Sequence, residues 1–135
     1  MKKTFLFITS LLILAACSAA SADITGDWKL VSYGDAANPT PAIPNVNTTI
    51  NFDSKGQMSG NVGCNGFGGT YELKGDNIIF SGTMSTMMYC EETSSQEQGV
   101  LSVFSDSVKL KFQVSNDILT ITSADGAIVV ILAHK

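Results

Sequence analysis

Val108, Leu110, Phe112 and Val114 alternate with Lys109, Lys111 and Gln113. Alternation with a period of two gives a strand one apolar and one wet face, which selects an antiparallel sheet buried on a single side. The same pattern recurs along the chain, broken by turn residues. Trp28 to Tyr33 mixes aromatic and β-branched residues and suits a first strand, and Thr48 to Asp53 places Ile50 and Phe52 between polar neighbours. Asp53-Ser54-Lys55-Gly56 then supplies a turn into a strand around Met58. Gly69 to Leu73, the turn Lys74-Gly75-Asp76-Asn77 and Asn77 to Ser81 form a second hairpin. A strand at Ile118 to Thr122 follows Ser115-Asn116-Asp117, and Ala127 to Ala133 is apolar enough for a central strand covered on both faces.

Between Glu92 and Ser107 the period changes. Val100, Leu101, Val103, Phe104 and Val108 fall near a 3.6-residue stripe, and Ser94 precedes Glu97 at capping-box spacing. One helix of about three turns is expected, weakened at Gly99 by about 1 kcal/mol relative to Ala. The fold class is therefore α+β and mostly β: a strongly curved antiparallel sheet or partly closed barrel, with one helix plugging an end or covering a face.

The first residues read as an address. Lys2 and Lys3 precede an apolar run from Phe5 to Leu14, and Ala15 and Ala16 follow, the order of an export signal. Leu14-Ala15-Ala16-Cys17 resembles the bacterial lipobox, which implies that Cys17 takes a diacylglyceryl thioether and becomes the new N-terminus. Ser18 stands where Asp would mark inner-membrane retention, so the resemblance implies the periplasmic side of the outer membrane. The expected organisation is a signal peptide at 1–16, a lipidated tether at 17–23 and one domain at 24–135. With residues 1–16 removed the net charge is -6, so lipid and not electrostatics attaches the chain to an anionic membrane. A pI near 4.7 and the absence of Arg leave no footprint for nucleic acid.

Lipidation of Cys17 leaves the pair Cys64 and Cys90 in an oxidising compartment, where a disulfide is expected. Closing that loop stabilises the fold by about 3.5 kcal/mol in the chain-entropy account. A nucleophilic Cys64 would need a base, and the single His, His134, lies beside the C-terminus. Met58, Met84, Met87 and Met88 with Cys64, Cys90 and His134 suggest a soft copper(I) site on paper, but oxidised Cys cannot ligate and core filling is the expected role of these methionines. Gly60, Gly63, Gly66, Gly68 and Gly69 lack the Lys-Ser/Thr that completes a phosphate cradle, so close strand approach or bulges account for them. Glu91 and Glu92 are expected on a solvated face near the helix start. The segment from Asp35 to Asn47 holds Pro39, Pro41 and Pro44 and is long for a connection, a length common in functional or mobile loops.

The middle of the chain carries a family resemblance. Gly63-Cys64-Asn65, Gly69-Thr70-Tyr71, Asp76-Asn77-Ile78-Ile79-Phe80 and Thr86-Met87-Met88-Tyr89-Cys90, followed by Gln96-Glu97-Gln98, Asp117-Ile118-Leu119-Thr120 and Asp125-Gly126, resemble the META domain of HslJ-like heat-shock lipoproteins. The pattern singles out Gly63, Asn65, Tyr71, Thr86 and Met88; Asn77 and Ile78 depart from its usual Thr and Leu. The resemblance implies a barrel-like α+β domain with a role in envelope stress or drug tolerance, and implies no catalytic residues. No cofactor or metal is called for. The expectation is a monomeric, non-catalytic lipoprotein supporting envelope integrity, with an envelope protein or small molecule as partner. The alternatives are a small envelope hydrolase whose active site assembles only on folding, or a ligand- or inhibitor-type binding barrel.

Overall fold

Each turn expected from the sequence joins two paired strands. In the computed structural model, which describes residues 22–135, the elements are β1 (Gly26–Asp35), β2 (Thr40–Pro41), β3 (Thr49–Phe52), β4 (Gln57–Asn61), β5 (Gly66–Lys74), β6 (Asn77–Ser85), α1 (Ser94–Val103), β7 (Lys109–Ser115), β8 (Ile118–Thr122) and β9 (Ile128–His134). Cys17 and the export signal lie outside the described residues.

Consecutive strands from β3 to β9 pair antiparallel, β1 pairs with β3, and β1 also pairs with β9, closing eight strands into a barrel. The β1–β9 pairing shifts register between Leu30 and Ser32. At that irregularity the Leu30 N–H donates to the buried Thr48 hydroxyl at 3.0 Å, and Val31 O accepts the Ala42 N–H at 2.9 Å. The seam of β6 against β7 is short, paired only from Asn77 to Ile79 against Lys111 to Lys109.

The alternation of β7 turns Leu110 and Phe112 inward, and equivalent positions on every other long strand fill the interior. Trp28, Phe52, Phe80 and Phe104 are at most 2% exposed, so little space is left inside. Phe80 lies 4.8 Å from Phe104 and 6.4 Å from Phe52 between ring centres. Burying each such ring stabilises the fold by about 1.5–3 kcal/mol. In β9 the adjacent residues Val129 and Val130 are both buried, as expected for a strand covered on two faces, while Ile128 is exposed where the strand begins.

Helix α1 lies across one rim of the barrel. Val100 and Val103 on the helix and the C-cap Phe104 are buried against the core. Gln96 accepts the Ile43 N–H at 2.8 Å and donates to Val62 O, tying two rim segments to the helix. Gly99 meets Tyr33, where a Cβ would stand 2.6 Å from the ring.

Four expectations need correction. Ser94 and Glu97 do not form a capping box: the N-cap is Thr93 without a side-chain cap bond, and Glu97 turns inward. Val108 belongs to neither the helical stripe nor the inward face of β7; the chain reverses at Ser107, with φ of 61°, and leaves Val108 exposed. Strand β6 runs on to Ser85, beyond the expected Ser81, across a bend at Gly82. The Pro-containing segment is not a free loop, because β2 pairs with Ser32 and Tyr33 and Ile43 is held by Gln96.

Candidate functional site

Four of the five family-motif residues come together at the rim capped by α1, and one does not. Gly63 and Asn65 lie on the turn between β4 and β5, and Thr86 and Met88 lie on the segment that leaves β6. A disulfide between Cys64 and Cys90, with Cα atoms 6.2 Å apart, joins that turn to the chain just before the helix. Tyr71 sits at the opposite pole. Its hydroxyl donates to Asp53 O at 2.7 Å and its ring stands edge-on to Phe52, so it pins the β3–β4 turn. Burial and the nearby Asp53 and Asp23 carboxylates push the Tyr71 phenol above its usual value.

Asn65 is buried and its side-chain amide is fully used. Nδ2 donates to Met88 O at 2.9 Å and to Glu97 Oε2 at 2.6 Å, while Oδ1 accepts the Met88 N–H and the Thr86 hydroxyl, both at 2.8 Å. Two donors and two acceptor lone pairs are all the group possesses. Glu97 receives the other half of the network: Oε1 accepts from the Asn65 N–H at 3.0 Å, the Cys64 N–H and the Thr93 hydroxyl at 3.2 Å. Gly63 is required because a Cβ there would collide with the Glu97 carboxylate and Thr93.

Glu97 is a buried carboxylate without a cation; among the described residues the single ion pair is the surface contact Lys74–Glu72 at 3.1 Å. Burial pushes its carboxyl up, but the bonds from the Asn65 side chain, the Asn65 and Cys64 amides and the Thr93 hydroxyl outweigh that and hold it below the ordinary glutamate value. The group therefore stays ionised at neutral pH and has no proton to give. Its chemistry is that of an anion bound by N–H and O–H dipoles, which fixes the turn and the helix to each other.

Sequence reasoning missed this carboxylate. A signal was present, since Glu97 lies three residues before Val100 and seven before Phe104, on the apolar stripe rather than opposite it. The other candidates resolve individually. Met58 fills the core, but Met84, Met87 and Met88 are 78%, 95% and 60% exposed, so core filling is wrong for three of the four. Cys64 is bonded to Cys90 and not to a base; His134 instead stands edge-on to Trp28 at 5.0 Å. Gly60 lets β4 lie against Thr49 O, Gly69 lets β5 lie against Ser81 O, and a register shift between Gly68 and Thr70 marks a bulge, whereas a Cβ on Gly66 would meet only ordinary contacts. Glu91 and Glu92 are solvated.

Beside the Asn65–Glu97 network is a surface depression of about 370 Å³, lined by Thr86 to Tyr89 on one side and by Ser94, Gln98 and Leu101 on the other. A larger one of about 790 Å³ lies between β1 and residues 42–47 and is lined by Lys29 and Lys135 but by no carboxylate or hydroxyl side chain.

A family model described as META domain matches residues 22–135, and one described as prokaryotic membrane lipoprotein lipid attachment site matches residues 1–18. Among solved structures, an NMR structure of a protein from Burkholderia xenovorans is similar with a TM-score of 0.63 and 20% identity, covering 92% of this chain and 99% of that one. A crystal structure of a DUF4847 family protein from Bacteroides vulgatus is similar with a TM-score of 0.61 and 14% identity, covering 82% and 93%. At these identities the likeness is one of fold. No curated protein matches the chain.

Proposed function

The chain belongs to the META domain family and carries a lipoprotein lipid attachment site, and from that premise we propose that it is a non-catalytic lipoprotein that supports envelope stress tolerance from the periplasmic side of the outer membrane. In this reading residues 1–16 are removed, Cys17 carries the lipid, 17–23 form a short tether, and the monomeric barrel works by binding an envelope protein or small molecule at its surface. The observation that carries it is the state of the interior. Trp28, Phe52, Phe80 and Phe104 fill the barrel, and the buried carboxylate Glu97 is committed to four donors. An interior ligand would have to displace rings from the core, and a hydrolase would need a carboxylate with a raised, not lowered, proton affinity to act as acid.

Complementation of a deletion strain under envelope stress tests the reading. Wild type is expected to restore tolerance, and Cys17→Ser is expected to fail because it leaves the outer-membrane fraction. Turnover of an envelope component by the purified lipoprotein would establish the hydrolase alternative in place of this one.

A further inference from the structure

We infer that the upper edge of β6 and the helix beside it form a docking groove for an extended polypeptide segment bearing apolar side chains and Lys or Arg; this rests on the non-catalytic reading and gives it a partner class. Beyond Ile79 no strand pairs with β6 on the β7 side among the described residues. Phe80 O accepts the Ser107 N–H, the Thr83 N–H donates to the Asp106 carboxylate, and above Thr83 the edge is open. On its other side the strand stays paired, with Ser85 opposite Phe67 and the Thr86 N–H bonded to Gly66 O. Because backbone groups alternate in direction along a strand, the Ser85 N–H and C=O are aimed away from β5, towards the helix side.

The space beside that edge is shaped to receive a chain. The 370 Å³ depression meets a second one of about 390 Å³, lined by Thr83, Leu101, Ser105 and Asp106; the two share Ser85 and Leu101 and run along the strand edge. Met84, Met87, Met88 and Tyr89 flank it, Tyr89 being 82% exposed. Strand addition supplies main-chain hydrogen bonds that any extended sequence can make. Unbranched, polarisable Met side chains adapt to varied apolar partners, so the groove selects for chemistry and not for one sequence.

Charge sets the remaining preference. Asp106 lines the groove, Glu97 lines its upper part, Glu91 and Glu92 follow Tyr89, and no Lys lines either depression. A cationic segment is therefore favoured and an acidic one repelled. The chain's own lipid anchor is not the occupant. The described chain begins at Ala22, next to Asp23, which lies near Tyr71 and Asp53 at the opposite pole. Residues 17–22 reach about 20 Å at full extension, less than the roughly 30 Å spanned by a nine-residue strand such as β5.

The test uses the mature lipoprotein in detergent micelles and fluorescence anisotropy of a labelled peptide alternating Val and Lys. Binding is expected, and it should weaken by about tenfold or more when Glu replaces Lys, or when alternate backbone nitrogens are methylated. A Met87→Ser/Tyr89→Ser protein should bind about tenfold more weakly with an unchanged melting temperature, and Met87→Leu should bind as wild type. Equal affinity for the Lys and Glu peptides, indifference to methylation, or wild-type affinity of the double variant would overturn the groove, as would a patch that mediates only self-association or adsorption to lipid vesicles. A wild-type protein that neither binds the peptide nor turns over an envelope component removes the groove and leaves the non-catalytic reading standing. Turnover of an envelope component removes that reading whether or not the peptide binds.

Discussion

Asn65 and Glu97 bind each other twice: the Asn65 side chain donates to Oε2 at 2.6 Å and its backbone N–H donates to Oε1 at 3.0 Å. The pair joins a β-turn to a helix thirty-two residues away in sequence. The disulfide beside it, Cys64 to Cys90, closes the same rim covalently.

Replacing Asn65 by Asp keeps the shape and sets a second carboxylate against Glu97. Like charges at this separation cannot both remain ionised in a buried site without cost. Asn65→Asp is therefore expected to lose about 3 kcal/mol or more at neutral pH and to recover part of it in mild acid, where the pair shares a proton. Asn65→Ala should lose about 1–3 kcal/mol with no such recovery. Urea midpoints at several pH values decide between these outcomes; a flat profile for Asn65→Asp would remove the charge argument.

The lowered proton affinity of Glu97 gives a second, opposite pH dependence. Because the folded value lies below the unfolded one, the unfolded chain takes up protons first. The stabilisation is complete above the ordinary glutamate value of about 4.3 and is lost as pH falls through the folded value. Wild type should exceed Glu97→Gln by about 1–3 kcal/mol at neutral pH. That gap should shrink in the acid window, and a gap independent of pH would contradict the assignment.

Gly99→Ala tests packing against propensity. In an isolated helix the change stabilises by about 1 kcal/mol. Here the added Cβ would stand 2.6 Å from the Tyr33 ring, so the expected sign is destabilising, and thermal unfolding should show a lowered midpoint. In a Tyr33→Ala background the same substitution should lose its penalty.

Removing both cysteines, as Cys64→Ala with Cys90→Ala, should cost about 3.5 kcal/mol through the denatured state. The fold should persist, since the barrel core lies apart from the bridge. Denaturant unfolding with and without reductant provides the measurement, and reductant should have no effect on the double variant.

Much of the barrel was legible because its information is local. The alternation of Leu110 and Phe112 with lysines, and turns such as Asp53 to Gly56, declare themselves within a few residues. The rim was not. Glu97 reads locally as a capping-box residue, and only the closed barrel brings the Cys64 and Asn65 amides to it. Likewise Met84, Met87 and Met88 carry the composition of a core, and what exposes them is that the end of β6 and the segment leaving it run past the pairing with β7. Asn65, Thr86 and Met88 were flagged by resemblance alone, and no pairwise spacing foretold that one amide would hold both of the others.

The closure of β1 on β9 has a temporal consequence. Gly26–Asp35 is made early, and its partner Ile128–His134 follows only after every other strand of the domain. Long-range pairing of this kind cannot be rewarded until both strands exist. The pairings from β3 to β9 join neighbours in sequence and can form one after another, whereas the β1–β9 seam must bring Trp28 to His134, so barrel closure waits on the most distant pairing of the sheet.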